Sequence, residues 1–507
     1  MSQVSISREA RVMFAGRGVT IVLSLLALVL FPRTLGPEAH GWFQYYSNLS
    51  LLLLGFLNGC AAPMAAHFVP LYRVSEPQRQ GVLLVQLFRW YVLLLLMTSL
   101  ARPLLMEESG FWWIFLASGA AGLAQLISSA VYGLGRMGPI TWFPVLILFL
   151  RILFICGIAA GIEIFSGRGN LPHFGEVWIP VWMFLTTLPS LLWMGVTYFR
   201  NRSEWFQGEV TQKALQAASW LPWTEIGRFG LATVLGQIVY QIFTRTLTVI
   251  AMQWGYPTAH VGYLGLATQG FGQVVFLAGI FSVSVYPWMV SAWKAGESER
   301  FARLQSEAWR LCALVGGWLV ACMITLIRPL VLVFLGPEYH GEVELIVELV
   351  RIGAVAGALM LAGEFHLRIL LAQTEMNRYL GALAIGFSMV SPYLLWVLWA
   401  EKDIDSLAWT LPLGVACMTL IAVRLAPKTT GFYRTTLLAV AGGALSGTAV
   451  HFLESDNLTS LVLQTVLLTI LYAAFAWGVG LGKREDLDRL RKTPAPKGDL
   501  PPEVGAE

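Results

Sequence analysis

Apolar runs of about twenty residues recur from Val19 to Leu481, separated only by short polar stretches. At about 1.5 Å of helical rise per residue, each run crosses roughly 30 Å of hydrocarbon. The pattern predicts spans at 12–31, 40–68, 82–102, 111–134, 140–162, 177–199, 224–252, 261–290, 306–327, 341–366, 379–400, 406–424, 433–452 and 459–481. The expected fold is therefore all-α and membrane-integral, with about fourteen transmembrane helices. A secretory leader ends at a small-residue cleavage site. Val19–Phe31 has none and leads straight into more apolar sequence, so it is read as the first span.

Composition strengthens this reading. Apolar residues make up 56% of the 507 positions and charged residues only 13%, against about 25% charge in soluble domains. The mean hydropathy is +0.66. The deficit of charge runs along the whole chain, which excludes a soluble enzyme with one anchor. Lys and Arg set the orientation. With the N-terminus in the cytoplasm, nineteen basic residues fall on that side, among them Arg8, Arg73, Arg136, Arg200, Lys294 and Lys428. Five fall outside, namely Arg33, Arg102, Arg168, Arg328 and Lys402. Both termini are then cytoplasmic, and the bacterial inner membrane is the expected location.

The longest internal connection, partly amphipathic through Val210, Leu215 and Trp220, divides the chain. The expected units are an N-terminal lobe over 1–200, a cytoplasmic linker over 201–222 and a C-terminal lobe over 223–428. A trailing helix pair over 429–482 and a Pro-rich, disordered tail over 483–507 follow. The two lobes resemble each other weakly. Phe14-Ala15-Gly16-Arg17-Gly18 is answered by Ile226-Gly227-Arg228-Phe229-Gly230, and Pro37-Glu38-Ala39-His40-Gly41 by Pro257-Thr258-Ala259-His260-Val261. A third copy, Gly336-Pro337-Glu338-Tyr339-His340-Gly341, repeats Gly36-Pro37-Glu38-Ala39-His40-Gly41. Pro beside an acidic residue suits a helix N-terminus, so these are read first as recurrent external helix starts.

Charge inside a span costs at least about 2.5–3.5 kcal/mol and usually faces a cavity or a partner. Arg151 lies mid-span with no acidic residue within a turn, and Arg89, Arg245 and Arg351 also fall within spans. Glu344, Glu348 and Arg351 share one helical face. Two readings compete. In one, Glu348 pairs with Arg351 while Arg89 and Arg245 reach towards headgroups. In the other, Arg89, Arg151, Arg245 and Arg351 form a cationic substrate site, with Glu348 as a candidate for ion coupling. The first six spans hold no acidic residue in their interiors, which argues for an anionic cargo. Guanidinium grips phosphate in a forked geometry and keeps its charge when buried.

Covalent chemistry has no foothold in the pattern. There is no phosphate-binding loop, HExxH, nucleophile elbow or paired-Cys metal motif. Cys60, Cys156, Cys312, Cys322 and Cys417 all lie in apolar segments and read as small buried hydrophobes. Neither catalytic residues, a metal, a cofactor nor a nucleic-acid partner is expected.

Four stretches carry a family resemblance. Phe31-Pro32-Arg33-Thr34-Leu35-Gly36-Pro37-Glu38-Ala39-His40-Gly41-Trp42-Phe43 links the first two spans. Gly133-Leu134-Gly135-Arg136 precedes Arg151. Thr244-Arg245-Thr246-Leu247 leads to Pro257 and Tyr263, where many family members carry Asp-Arg. Arg328-Pro329-Leu330 is followed by Leu335-Gly336-Pro337-Glu338-Tyr339. In these the chain resembles the polysaccharide transporters, including O-antigen-type flippases, of the multidrug/oligosaccharidyl-lipid/polysaccharide exporter superfamily. The resemblance implies two six-helix lobes in a V around a central cavity, alternating access, and a polyprenyl-diphosphate-linked oligosaccharide as cargo. It implies membrane lipids and polysaccharide assembly machinery as partners. The rivals are a multidrug exporter of the same superfamily and a membrane-embedded glycan polymerase or glycosyltransferase.

Overall fold

The computed structural model describes residues 3–482 except 59–60, 63, 66–67, 70–76, 101–109, 134–137, 166–170, 206–222, 295, 374, 452 and 454–456. Most of the expected linker, the whole expected tail, Cys60 and the Leu134-Gly135-Arg136 motif lie outside the described residues. The rest is helical, with no strand among the described residues.

The first helix, α1 (Gln3–Asn58), holds the first two expected spans as two arms. They part at Gly36, whose φ of 74° and ψ of 171° break the helix. Glycine tolerates this backbone, and the following Pro37 has no N–H to continue the ladder. Then come α2 (Pro77–Leu100), α3 (Phe111–Gly133), α4 (Gly138–Phe165) and α5 (Leu171–Trp205). The second half contains α6 (Trp223–Gln253), α7 (Thr258–Lys294), α8 (Ser298–Phe334), a 3-10 turn (Pro337–Glu342), α9 (Val343–Ala372), α10 (Met376–Trp399) and α11 (Ile404–Leu425). The chain finishes with α12 (Phe432–His451) and α13 (Leu458–Gly478). Counting both arms of α1, the described residues hold fourteen long helical segments, the number that the hydropathy pattern predicts. The helices overrun the expected spans where polar ends extend past the bilayer. At 37 residues, α8 begins with the exposed pair Glu297–Arg300 and an acidic Glu299 in its first turn.

Packing runs both within the two expected lobes and across them, where α1 lies on α6 and α7. In the first lobe α1 packs on α3, α4 and α5, and α3 on α5. Phe31, Phe43, Phe154 and Trp182 knit α1, α4 and α5 together, with Phe31–Phe43 centroids 5.0 Å apart and Phe43–Trp182 centroids 5.6 Å apart. In the second lobe α9 packs tightly on α7 and α11. The C-terminal pair, α12 with α13, rests on α8. The outward surface is apolar: Leu192 is 73% exposed, Leu463 63% and Trp399 91%. Water would not tolerate such patches across a whole bundle, whereas lipid would. The protein is a multi-pass membrane protein.

Candidate functional site

The four arginines singled out by the sequence take four different positions. Arg151 sits on α4, whose Leu148, Ile152 and Ile155 belong to the core shared with α1. Its Nε is sealed from solvent and has no hydrogen-bond partner. An ionised group in that condition leaves much of its desolvation uncompensated.

Arg245 lies on α6 where the lobes meet. One of its terminal nitrogens donates to Asn48 Oδ1 on α1 at 3.4 Å. Two further polar contacts follow the same boundary. Gln253 donates to the Tyr45 hydroxyl at 2.9 Å. Gln241 packs against Gly55, where a Cβ would sit 3.1 Å from its Cγ. This polar seam within an apolar bundle joins α1 of one lobe to α6 of the other.

Arg351, on α9, turns towards α8 and donates from Nε to the Ile324 carbonyl at 3.1 Å. It does not pair with Glu348 at i−3. Glu344 instead pairs across to Arg328 at 3.0 Å, and Glu348 stands exposed, near enough to Asp405 for the two negative charges to repel. Arg351 lines a groove of about 510 Å³ between α8, α9 and α12. The groove is floored by small residues, including Gly316, Gly317, Gly443 and Gly447, and walled by Val320, Ile324, Leu361 and Val440. Arg351 and His451 are the ionisable side chains among its described lining residues.

Arg89 stands apart. The packed face of α2 carries Val82, Leu83, Leu87 and Tyr91, while Phe88, Arg89 and Trp90 form an exposed face. It therefore shares neither the lobe seam nor the groove. Its helix is apolar all round, so hydropathy alone cannot tell its two faces apart. Sequence reading also missed Asn48 and Gln253. Their only signal was polarity within apolar runs, which single uncharged residues give too weakly to single out.

A half-buried pair, Glu364 with Arg368 at i+4 on α9, is a second charged site, of which the sequence reading counted only Arg368, on the cytoplasmic side. Its internal neutralisation makes it structural, because the carboxylate already supplies the guanidinium's counter-charge.

No family model matches the chain, and no curated protein matches it in sequence. Solved structures do resemble it. One described as the lipid II flippase MurJ in an inward closed conformation superposes with a TM-score of 0.67 at 13% identity, covering 94% of this chain and 99% of that one. A mutant of the Vibrio cholerae MATE transporter VcmN gives 0.55 at 13% identity, over 83% and 97%. An inward-facing multidrug resistance MATE family transporter of the MOP superfamily gives 0.55 at 14%, over 83% and 94%. The chain thus shares its fold with these multi-pass transporters. At this identity the likeness extends to fold and no further.

Proposed function

We propose that the protein is a flippase that moves a polyprenyl-diphosphate-linked oligosaccharide across the inner membrane for surface polysaccharide assembly, by alternating access of its two lobes. Arg151 carries the reading. A guanidinium with a sealed, unpartnered Nε inside a lipid-embedded lobe is tolerable when a cargo anion supplies the missing partner. Its fork fits a diphosphate in a way that an ammonium does not. Arg351 supports the same reading from the second lobe, because it flanks a groove whose apolar walls suit an isoprenoid chain, at about 0.8 kcal/mol per buried methylene. Arg245, held by Asn48 on the lobe boundary, would feel any separation of the lobes. The neighbouring folds with lipid-linked and drug cargo support transport in general.

Replacing Arg151 with Ala should abolish surface glycan while leaving the protein at normal level in the membrane. Normal glycan in that strain removes Arg151 from the site. Glu348 is the proposed ion-linked carboxylate, since it is exposed and sits beside Asp405 at one end of the second lobe. Transport in Glu348→Gln should lose its pH dependence; an unchanged pH profile rules out that role. The resemblance to MATE structures supports multidrug export as a second reading. A deletion strain with intact glycan and heightened drug susceptibility would favour that one.

A further inference from the structure

The three copies of the short Pro-containing loop are far apart in sequence, yet the fold gathers them at one place between the lobes. Around Gly41, from the first copy, a Cβ would collide with the Thr258 carbonyl of the second copy. Around Gly262, four residues after Thr258, a Cβ would lie 3.0 Å from the Pro37 carbonyl and 3.1 Å from the Gly41 nitrogen. One turn deeper, Gly265 meets the Gln44 side chain. The third copy closes the set from the 3-10 turn. Its Tyr339 is wholly buried and donates from its hydroxyl to the Pro32 carbonyl at 3.0 Å. Its ring packs on Tyr263, with centroids 6.0 Å apart. Pro32 lies in the last turn before the break at Gly36, where carbonyls lose their in-helix donors.

We propose that these three loops form a single latch that holds the lobes shut at this end of the bundle, the end that the Lys and Arg distribution assigns to the outside. The contacts are backbone-to-backbone, which only glycine permits. They leave no room for partial opening, so the latch is either docked or released. One hydroxyl bond and one ring contact from the second lobe, with the Gln253–Tyr45 and Arg245–Asn48 bonds further along the seam, then set how readily it releases. Release separates α1 from α7 and exposes the space between the lobes to the outer face. The inference rests on lobe movement, not on the identity of the cargo.

The test uses the full-length protein in nanodiscs, where both faces are accessible, with its five native cysteines replaced by alanine. Gln44→Cys serves as the reporter, because Gln44 is 2% exposed and lies in the seam. Its rate of reaction with a fluorescent maleimide reads latch opening directly. Adding Gly41→Leu should raise that rate on the order of tenfold, by shifting the population to the open state. Adding Tyr339→Phe, which removes one hydrogen bond and little else, should raise it about two- to tenfold. Gly18→Leu, at a position with open space around it, should leave it unchanged. Equal rates in all backgrounds overturn the latch, and so does a rise in Gly41→Leu without one in Tyr339→Phe. If Gly41→Leu fails to fold, Tyr339→Phe alone decides. A failed cargo assignment leaves these rates untouched, so the two proposals fall separately.

Discussion

Glycines line both the seam between α1 and α7 and the groove between α8 and α12, and they do different work in each. In the seam, Gly41 and Gly262 bring together backbones from two lobes that also pack along α1 on α6 and α7. In the groove, Gly317, Gly443 and Gly447 press α12 onto α8 within one half of the molecule. There a Cβ on Gly443 would lie 3.2 Å from the Gly317 carbonyl, and one on Gly447 2.7 Å from Thr325 Oγ1. Close approach of helices through small residues is the common device of membrane packing. What differs is the neighbour. Between lobes, the approach makes a joint that can part. Between the second lobe and the C-terminal pair, it makes a wall in which the missing side chains leave an apolar hollow.

Substitutions can break that contrast in graded steps. The largest effect is expected from Gly262→Leu, which overpacks the seam and should destabilise the docked state by about 1–3 kcal/mol, read as a lowered melting temperature in detergent. Ala444→Trp should act on the groove alone. Ala444 is exposed and lines the hollow, so its melting should stay within about 0.5 kcal/mol of the parent, while binding of a polyprenyl diphosphate weakens. If Ala444→Trp melts as early as Gly262→Leu, the groove is a structural joint like the seam and the contrast fails. The mildest chemical change is Arg351→Lys, which keeps the charge and loses the fork. It should weaken diphosphate binding by about 1.5 kcal/mol, roughly tenfold, as measured by titration against a monophosphate control that loses less.

The turns at the seam's end add a further tie. Tyr256, between α6 and α7, donates to the Lys402 carbonyl at 2.6 Å, linking two connections of the second lobe. Burial, together with the negative charge of Asp403, pushes its phenol above the usual range. The raised value keeps the donor protonated throughout the ordinary pH range, so this tie is not expected to loosen as pH rises towards the free phenol value.

Much of the architecture was legible in the chain before folding. The fourteen segments follow from the length of apolar runs against the thickness of a bilayer, and the break in α1 follows from Gly36 beside Pro37. The repeated loops were also visible, as were arginines too deep to ignore. Which way those arginines turn was not. A helix in lipid is apolar on every side, so periodicity carries little information about its packed face. Arg89 and Arg151 both fall within apolar runs, yet one is exposed beside Phe88 and Trp90 while the other has a sealed Nε. Nor could spacing foretell that Tyr339 would reach the Pro32 carbonyl some three hundred residues away. Local run length and turn chemistry set the elements; only the docking of helices from two lobes decided which polar groups met, because those meetings depend on contacts between residues far apart in the chain.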